Sequence, residues 1–107
     1  MTQITPPLLQ QWLADTARTP PVLLDVREPW EYQTCHIAGS TLVPMNAIPA
    51  RAQELDPDSE TVVICHHGGR SFQVAMFLER NGFSKLYNLQ GGVNAWADQV
   101  EPGMPRY

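Results

Sequence analysis

The sequence has little of what marks several large classes of protein. Among its 107 residues are two cysteines, Cys35 and Cys65, and one lysine, Lys85, and the formal net charge is −4. Two cysteines do not make a disulfide framework, and a negative net charge disfavours a general nucleic-acid or anionic-membrane surface. No apolar run approaches the ~18 residues of a membrane span, and residues 1–7 are polar and broken by proline, unlike a signal peptide. We therefore expect a single cytoplasmic domain over residues 1–107, with free thiols and with no membrane or nucleic-acid partner.

Proline and glycine divide the first half of the chain into short segments that alternate between strand and helix patterns. Ile4 predicts a short edge strand, and Thr5 followed by Pro6 predicts the start of an amphipathic helix. Residues 21–26 are a continuous apolar run, typical of a parallel strand buried on both faces. Further along, the pattern predicts a short helix over 29–33, a strand over 40–44, and a helix capped by Asn46 that continues to about residue 55.

The second half of the chain repeats this alternation. Residues 61–65 are β-branched and apolar and predict the strongest strand. An amphipathic helix is expected over 71–80, followed by a strand over 85–89 and a helix after Gly91-Gly92, with an irregular tail from about residue 100. Strands that alternate with helices predict an α/β fold with three layers, α/β/α, around a five-stranded, mostly parallel sheet.

Chemistry is concentrated in residues 65–71, which we call the Cys65 loop. It joins the strongest strand to a helix, on the side of a parallel sheet where ligands bind. The helix N-terminus directs N–H groups at the loop, Gly68 and Gly69 let amides turn inward around an anion, and Arg70 adds a cation. All three favour a thiolate at Cys65 and suit a persulfide or an anionic donor. The alternative is an inert buried cysteine before an ordinary glycine-rich turn, which this combination of residues disfavours.

Three segments, in this order along the chain, resemble the signatures of the rhodanese family. Residues 65–71 resemble its active-site loop, C-x-x-G-x-R-S/T. Residues 24–40, which include Asp-Val-Arg-Glu and His-Ile-Ala-Gly, resemble its first signature, and residues 88–96 resemble its C-terminal signature, L-x-G-G-x-x-A-W. Two departures fall in the first signature, where Cys35 stands in place of Gly and Ser40 in place of Ala. They put the local turn geometry in doubt rather than the activity.

The resemblance implies a rhodanese-like fold and a thiosulfate sulfurtransferase with Cys65 as its catalytic residue. In the implied two-step reaction, Cys65 takes a sulfane sulfur from a small anionic donor such as thiosulfate and keeps it as a persulfide, and an acceptor (cyanide, a thiol or a protein) then removes it. No metal or organic cofactor is implied. The expected active-site loop around Cys65 consists of His66, His67, Gly68, Gly69, Arg70 and Ser71, with Arg70 either binding the donor or holding the loop.

Two other functions are compatible with the same fold. Cys-dependent phosphatases and arsenate reductases use a C-x5-R loop, whereas Cys65 and Arg70 are spaced as C-x4-R. A shorter loop suits one sulfur atom better than a tetrahedral oxyanion. A non-catalytic interaction module is the third possibility, and the presence of Cys65 disfavours it.

Further polar residues have both a functional and a structural interpretation. His66 and His67 are candidate zinc ligands beside Cys65, but no fourth ligand has suitable spacing. We expect them instead at the mouth of the loop, where a partly protonated imidazole would attract anionic donors. Replacing His67 with Ala would then raise the KM for thiosulfate. For Asp25 and Arg27, a structural ion pair, which could include Glu31, is favoured over a role in substrate binding.

The remaining residues of interest are a second cysteine and three tryptophans. Cys35 could form a disulfide with Cys65, but its position before a strand places it near the amino ends of the sheet, too far from Cys65 to bridge. Trp12, Trp30 and Trp96 are expected to pack in the core or between elements.

Overall fold

A parallel sheet forms the centre of the molecule, as seen in a computed structural model that describes residues 1–107. The five strands pair in the order β1-β5-β4-β2-β3, and every pair is parallel. The strands β1 to β5 are Thr2–Ile4, Val22–Asp25, Thr41–Leu42, Thr61–Ile64 and Leu86–Leu89. The helices α1 to α5 are Pro6–Ala14, Pro29–Thr34, Ile48–Arg51, Gly69–Arg80 and Gly92–Gln99. The three-layer α/β/α prediction is confirmed, and the sheet is entirely rather than mostly parallel.

Each face of the sheet is covered by helices. Alternate residues of β4 point to opposite faces, so Val62 and Ile64 join one core cluster and Val63 and Cys65 the other. The first cluster packs against α1 and α5, with Trp12 and Trp96 among its buried residues. The second cluster packs against α3 and α4. The central strand β4 is buried on both faces, as its continuous apolar sequence predicts.

Several predicted element boundaries were correct. Thr5 caps α1, since its side chain accepts a hydrogen bond from the Leu8 N–H, and Pro6 is the first residue of the helix. Helix α4 ends at Arg80, before Gly82 with φ of +94°. Its start is two residues earlier than predicted, because Gly68 adopts a left-handed conformation and the helix begins at Gly69, within the Cys65 loop. No helix of the protein is both long enough and apolar enough to cross a membrane.

The segment between β3 and β4 departs from the prediction. Instead of one helix capped by Asn46, it forms two 3-10 turns, Met45–Ala47 and Ala52–Glu54, on either side of the single turn α3. Asn46 makes no capping hydrogen bond, because the first of these turns begins after Pro44 and includes Asn46 itself. The strand expected over 40–44 is reduced to the two residues of β3 at the edge of the sheet.

Candidate active site

Cys65 immediately follows β4 and is almost completely enclosed by the loop that it begins. Its side chain is 1% exposed. The Gly68 N–H donates a hydrogen bond to the Cys65 Sγ over 3.0 Å, which the φ of +105° at Gly68 makes possible. The backbone therefore turns an amide towards the sulfur, as predicted. The remaining N–H groups of the first turn of α4 have no acceptor within the helix, so they are available to a sulfur-borne anion.

A hydrogen-bonded chain of buried side chains connects the sulfur to β5. The Cys65 Sγ lies 3.2 Å from the Ser71 Oγ, and the Ser71 hydroxyl donates to the Asn88 Oδ1. The Asn88 Nδ2 donates to the Gly68 carbonyl over 3.2 Å and to the Gln3 Oε1 over 3.0 Å. Because the Gly68 carbonyl can only accept, the orientation of the Asn88 amide is fixed, and its oxygen faces Ser71. Asn88 therefore binds Gly68 and Ser71, the two ends of the final turn of the loop.

The start of α5 packs directly against the loop backbone. The Val93 and Asn94 N–H groups donate to the Cys65 and His66 carbonyls over 2.9 and 3.1 Å. This approach requires glycine at position 92, because a Cβ there would lie 2.3 Å from the Cys65 carbonyl oxygen. Gly91 and Gly92 were predicted to permit a tight turn, and both have positive φ. The close contact with the Cys65 loop is an additional reason for glycine that the sequence alone did not reveal.

Arg70 holds the loop through an ion pair with α2. Its guanidinium donates two hydrogen bonds to the Glu31 carboxylate, over 2.7 and 2.9 Å, in a bidentate arrangement. Glu31 is 3% exposed. The hydrogen bonds from Arg70 outweigh burial and, with the bonds from the Glu28 backbone and Tyr107, lower the pKa of Glu31 to about 2. Of the two roles expected for Arg70, the structure shows the one of holding the loop.

A second ion pair, between Asp25 and Arg27, lies close to the pair of Arg70 and Glu31. Asp25 and Arg27 are both fully buried and joined by bonds of 2.7–3.1 Å, which confirms the structural interpretation. Burial would lower the pKa of Arg27, but hydrogen bonds with Asp25 and Tyr107 raise it. The Tyr107 hydroxyl accepts from Arg27 over 2.9 Å and donates to the Glu31 carboxylate over 2.7 Å. Tyr107 therefore links the two ion pairs into one network, and Glu31 also contacts Arg27 through its backbone carbonyl.

The two histidines lie at the mouth of the loop. His66 is half-buried between the rings of His67 and Tyr107, with centroid distances of 4.0 and 4.2 Å. Burial, followed by the charge of His67, lowers the pKa of His66, so its imidazole is neutral near pH 7. His66 therefore does not supply the expected attraction for anions. His67 is exposed at the mouth, and its role in donor binding stays a prediction.

Cys35 lies near the carboxyl ends of the strands, whereas the sequence predicted a position near their amino ends. Its carbonyl accepts a hydrogen bond from Arg27 over 2.7 Å, so it lies beyond the carboxyl end of β2 rather than at the amino ends of the strands. The prediction was wrong because residues 36–40 return the chain from the carboxyl ends to the amino ends of the strands before β3 begins. Cys35 and Cys65 are both free thiols and belong to core clusters on opposite faces of the sheet.

Both departures from the family signature are accommodated locally. Cys35 has φ of −163°, an extended conformation that does not need glycine. The Ser40 hydroxyl donates to the Ile37 carbonyl over 2.7 Å. Trp30 is 57% exposed rather than in the core, and it packs edge-on against Tyr107, between α2 and the tail.

Three residues near the site make contacts that the sequence did not predict. Asn88 belongs to a recognised motif, but its bonds to Ser71 and Gly68 depend on the packing of β5 beside β4. Glu31 was considered only as a partner of Asp25 and Arg27, whereas its carboxylate binds Arg70. Tyr107 comes from the irregular tail, and no sequence signal linked it to residues about 80 positions away.

Known proteins with similar sequences and structures agree with this architecture. The rhodanese-like domain family matches residues 7–99. A protein named sulfurtransferase from Allochromatium vinosum is 38% identical over 83% of this chain and 81% of its own length. Thiosulfate sulfurtransferase GlpE from Pseudomonas fluorescens is 39% identical over 70% of this chain and 69% of its own. Other relatives are longer, and the chain spans 30% of a chloroplastic rhodanese-like/PpiC domain protein from Arabidopsis thaliana.

Among solved structures, the crystal structure of a rhodanese-like domain protein from Staphylococcus aureus has a TM-score of 0.84 and 31% identity, over 94% of this chain and 95% of its own. The resemblance seen in the three sequence motifs therefore extends to the fold and to nearly the whole chain. Together, the relatives support sulfur transfer as the general activity. The chain belongs to the rhodanese-like domain family.

Proposed function

We propose that the protein is a sulfurtransferase that carries a sulfane sulfur on Cys65 as a persulfide. The observation that carries this proposal is the position of the Cys65 Sγ, which receives the Gly68 N–H at the base of a short loop before α4. This geometry directs one backbone donor at the sulfur that we propose as the nucleophile, and it leaves amides of the first helical turn for one further sulfur atom. The active-site loop is residues 65–71, within a single domain over 1–107.

The proposed reaction has two displacement steps. In the first, the Cys65 thiolate attacks the outer sulfur of a donor, the donor's bond to that sulfur breaks, and the donor leaves with the bonding electron pair. With thiosulfate, the leaving group is sulfite. In the second, a nucleophile such as cyanide, a thiol or a cysteine of an acceptor protein attacks the outer sulfur of the persulfide, and the Cys65 thiolate is regenerated. Neither step requires a cofactor.

Catalysis requires the loop to hold the Cys65 sulfur in a fixed position. Hydrogen bonds connect the loop to α5, to β5 through Asn88, and to α2 through the pair of Arg70 and Glu31. These three attachments pre-organise the amides around the reacting sulfur, so little reorganisation accompanies the charge that develops there. The two free, buried cysteines are consistent with a reducing compartment, and we propose the cytoplasm.

The test is direct observation of the persulfide. The protein is incubated with thiosulfate and, separately, with an organic persulfide, and intact mass and peptide mapping locate any added sulfur. We expect one sulfur on Cys65 that cyanide removes as thiocyanate. C65S should abolish loading and transfer while leaving the circular dichroism spectrum unchanged, and C35S serves as the matched control that retains both. Substantial transfer by C65S, or loading by neither donor, would show the proposal to be wrong.

A phosphatase assay distinguishes the main alternative on the same fold. The spacing C-x4-R between Cys65 and Arg70 makes the loop one residue shorter than the C-x5-R pattern, and Arg70 is already paired with Glu31. We expect no hydrolysis of an aryl phosphate under conditions where Cys65 acquires sulfur. Turnover of the phosphate without persulfide formation would favour the phosphatase instead.

A further inference from the structure

Four aromatic rings lie side by side at the mouth of the Cys65 loop. Trp30 packs against Tyr107 with a centroid distance of 5.1 Å, and Tyr107 stacks on His66 at 4.2 Å. The ring of His66 lies 4.0 Å from that of His67. The four rings come from α2, the tail and the loop itself, and we call them the aromatic rim. Because His66 and His67 directly follow Cys65 in the chain, the rim borders the sulfur.

The aromatic rim is an exposed surface rather than a pocket for a small molecule. Trp30 is 57% exposed and Tyr107 38%, although both are large side chains with apolar rings. The one surface cavity that reaches the rim is lined by His66 and Tyr107, and its volume of about 10 Å³ is too small for a ligand larger than water. Exposed tryptophan and tyrosine rings that adjoin one another are typical of protein–protein contacts.

The charges beside the aromatic rim favour a basic partner. The arginines near the rim are each paired with a carboxylate of this chain, as Arg27 with Asp25, Arg70 with Glu31 and Arg106 with Asp98. Glu28, the N-cap residue of α2, is exposed and takes part in none of the ion pairs of the protein. This carboxylate and the net charge of −4 attract a positively charged segment. The exposed indole of Trp30 can bind an arginine or lysine by a cation–π contact.

The depth of the sulfur determines how such a partner must approach. Cys65 is 1% exposed, and none of the surface cavities is lined by it. In any cysteine, only the Cβ separates the sulfur from the Cα. An attacking cysteine of another protein therefore brings its own backbone up to the mouth of the loop, and the residues on either side of it meet the aromatic rim.

We propose that the aromatic rim is the docking surface for an acceptor protein whose reactive cysteine lies in an extended segment, next to arginine or lysine residues. This inference rests on the proposed persulfide at Cys65. In the balanced step, the thiolate of the acceptor's cysteine attacks the outer sulfur of the Cys65 persulfide, the S–S bond breaks, and its electron pair stays on the Cys65 sulfur. The acceptor leaves as a persulfide, and Cys65 returns to a thiolate.

The experiment compares two acceptor peptides with the persulfide form of the full-length protein. Each peptide carries one cysteine, which is flanked by arginines in the first peptide and by glutamates in the second. Each rate of sulfur transfer is divided by the rate of the same peptide with the persulfide of 2-mercaptoethanol, an uncharged reference, and the quotient is the enhancement due to the protein. We expect the enhancement to be at least about tenfold greater for the arginine peptide. This preference should fall at least about threefold in about 1 M salt, which screens the charges.

Two variants test the residues on which the argument depends. Trp30→Ala should lower the enhancement for the arginine peptide about fivefold. Leu8→Ala is the matched control and should change it less than about twofold, since Leu8 is 54% exposed but lies on α1, in a groove beside the edge strand β1. Glu28→Gln should lower the preference for the arginine peptide about threefold. Glu54→Gln removes the same charge far along the chain, at an exposed pair with Arg51, and should leave the preference unchanged.

The outcomes separate this inference from the proposed function. An equal enhancement for the two peptides, transfer to neither of them, or an unchanged enhancement in Trp30→Ala would overturn the inference. If cyanide still removes sulfur from Cys65 in those cases, the proposed sulfur transfer stands. Failure of Cys65 to form a persulfide with any donor would overturn the proposed function and this inference with it.

Discussion

Outside the Cys65 loop, Asn88 is the residue that most directly positions the Cys65 sulfur. It is buried, and its amide serves the Gly68 carbonyl and the Ser71 hydroxyl at once. Because Ser71 gives its only proton to Asn88, its oxygen faces the Cys65 sulfur as an acceptor, and a thiol at Cys65 donates to it. Asn88 is thus a positioning residue that sets both the loop and the direction of the hydrogen bond at the sulfur.

We expect Asn88→Ala to lower the kcat of sulfur transfer about tenfold with a smaller change in KM. The variant leaves the Gly68 carbonyl and the Ser71 hydroxyl unsatisfied, which costs about 1–3 kcal/mol of stability. Steady-state kinetics and urea unfolding measure the two effects. Gln3→Ala removes the exposed end of the same chain of hydrogen bonds and serves as the control. Equal activity of Asn88→Ala and wild type would exclude the positioning role.

Gly92 is required for the contact between the loop and α5. Replacing it with Ala would put a Cβ 2.3–2.4 Å from the Cys65 and His66 carbonyl oxygens at a φ of +60°. We expect a loss of about 2–4 kcal/mol in the free energy of unfolding, from overpacking and backbone strain. Gly103→Ala, where nothing lies within 4 Å of the added methyl group, should change stability by less than about 1 kcal/mol. Similar urea midpoints for the two variants would contradict this account.

At the scale of elements, the ion pair of Arg70 and Glu31 attaches the start of α4 to α2. Glu31 is nearly buried, whereas the Arg70 side chain is 36% exposed, so solvent weakens the pair from one side only. The Glu31 carboxylate also accepts the Glu28 N–H at the start of its own helix. One side chain therefore stabilises the beginning of α2 and fixes the position of the loop before α4.

This pair predicts a specific dependence of stability on acid. The folded-state pKa of Glu31 is about 2, below the ordinary value of 4.5 that applies when the chain is unfolded. A lowered pKa means that the unfolded state binds the proton more readily, so the contribution of Glu31 is complete above pH 4.5 and is lost as the pH falls towards 2. Urea unfolding of wild type and Glu31→Gln across this range should show a difference that shrinks with decreasing pH. A constant difference would disprove the assignment.

At the scale of the whole molecule, the tail closes over the carboxyl edge of the sheet. Met104 is buried in the core cluster of α1 and α5, and it anchors the tail. Tyr107 then reaches Arg27 and Glu31 and packs against the rings of His66 and Trp30. Residues 100–107 lie outside the matched family range of 7–99.

Tyr107→Phe should destabilise the protein by about 1–2 kcal/mol, because a buried Arg27 N–H loses its acceptor and Glu31 loses a donor. Tyr87→Phe is a close control, since the Tyr87 hydroxyl bonds only to Glu60, whose side chain is 39% exposed and easily hydrated. We expect the control to lose less than about 0.5 kcal/mol. Thermal unfolding at pH 7 compares the two, and equal losses would remove the special role of the tail.

The sequence by itself determined the order of the strands and helices along the chain and the position of the Cys65 loop, and it predicted Cys65 as the nucleophile. These features are local. An apolar strand, two glycines and a helix start within a few residues of Cys65 impose the turn of the backbone whatever surrounds it. Local patterns gave a wrong prediction between β3 and β4, where the sequence predicted one helix. Two 3-10 turns and the single turn α3 form there instead.

Only the tertiary structure decided how the charges around the loop are used. Glu31 and Arg70 are 39 residues apart, and Tyr107 lies 80 residues beyond Arg27. Which cation meets which carboxylate depends on the order of the strands in the sheet and on the path of α2 and the tail, which no local pattern encodes. For that reason Arg70 could be named from the sequence as a residue of the site, but its role in holding the loop emerged only when Glu31 was found beside it.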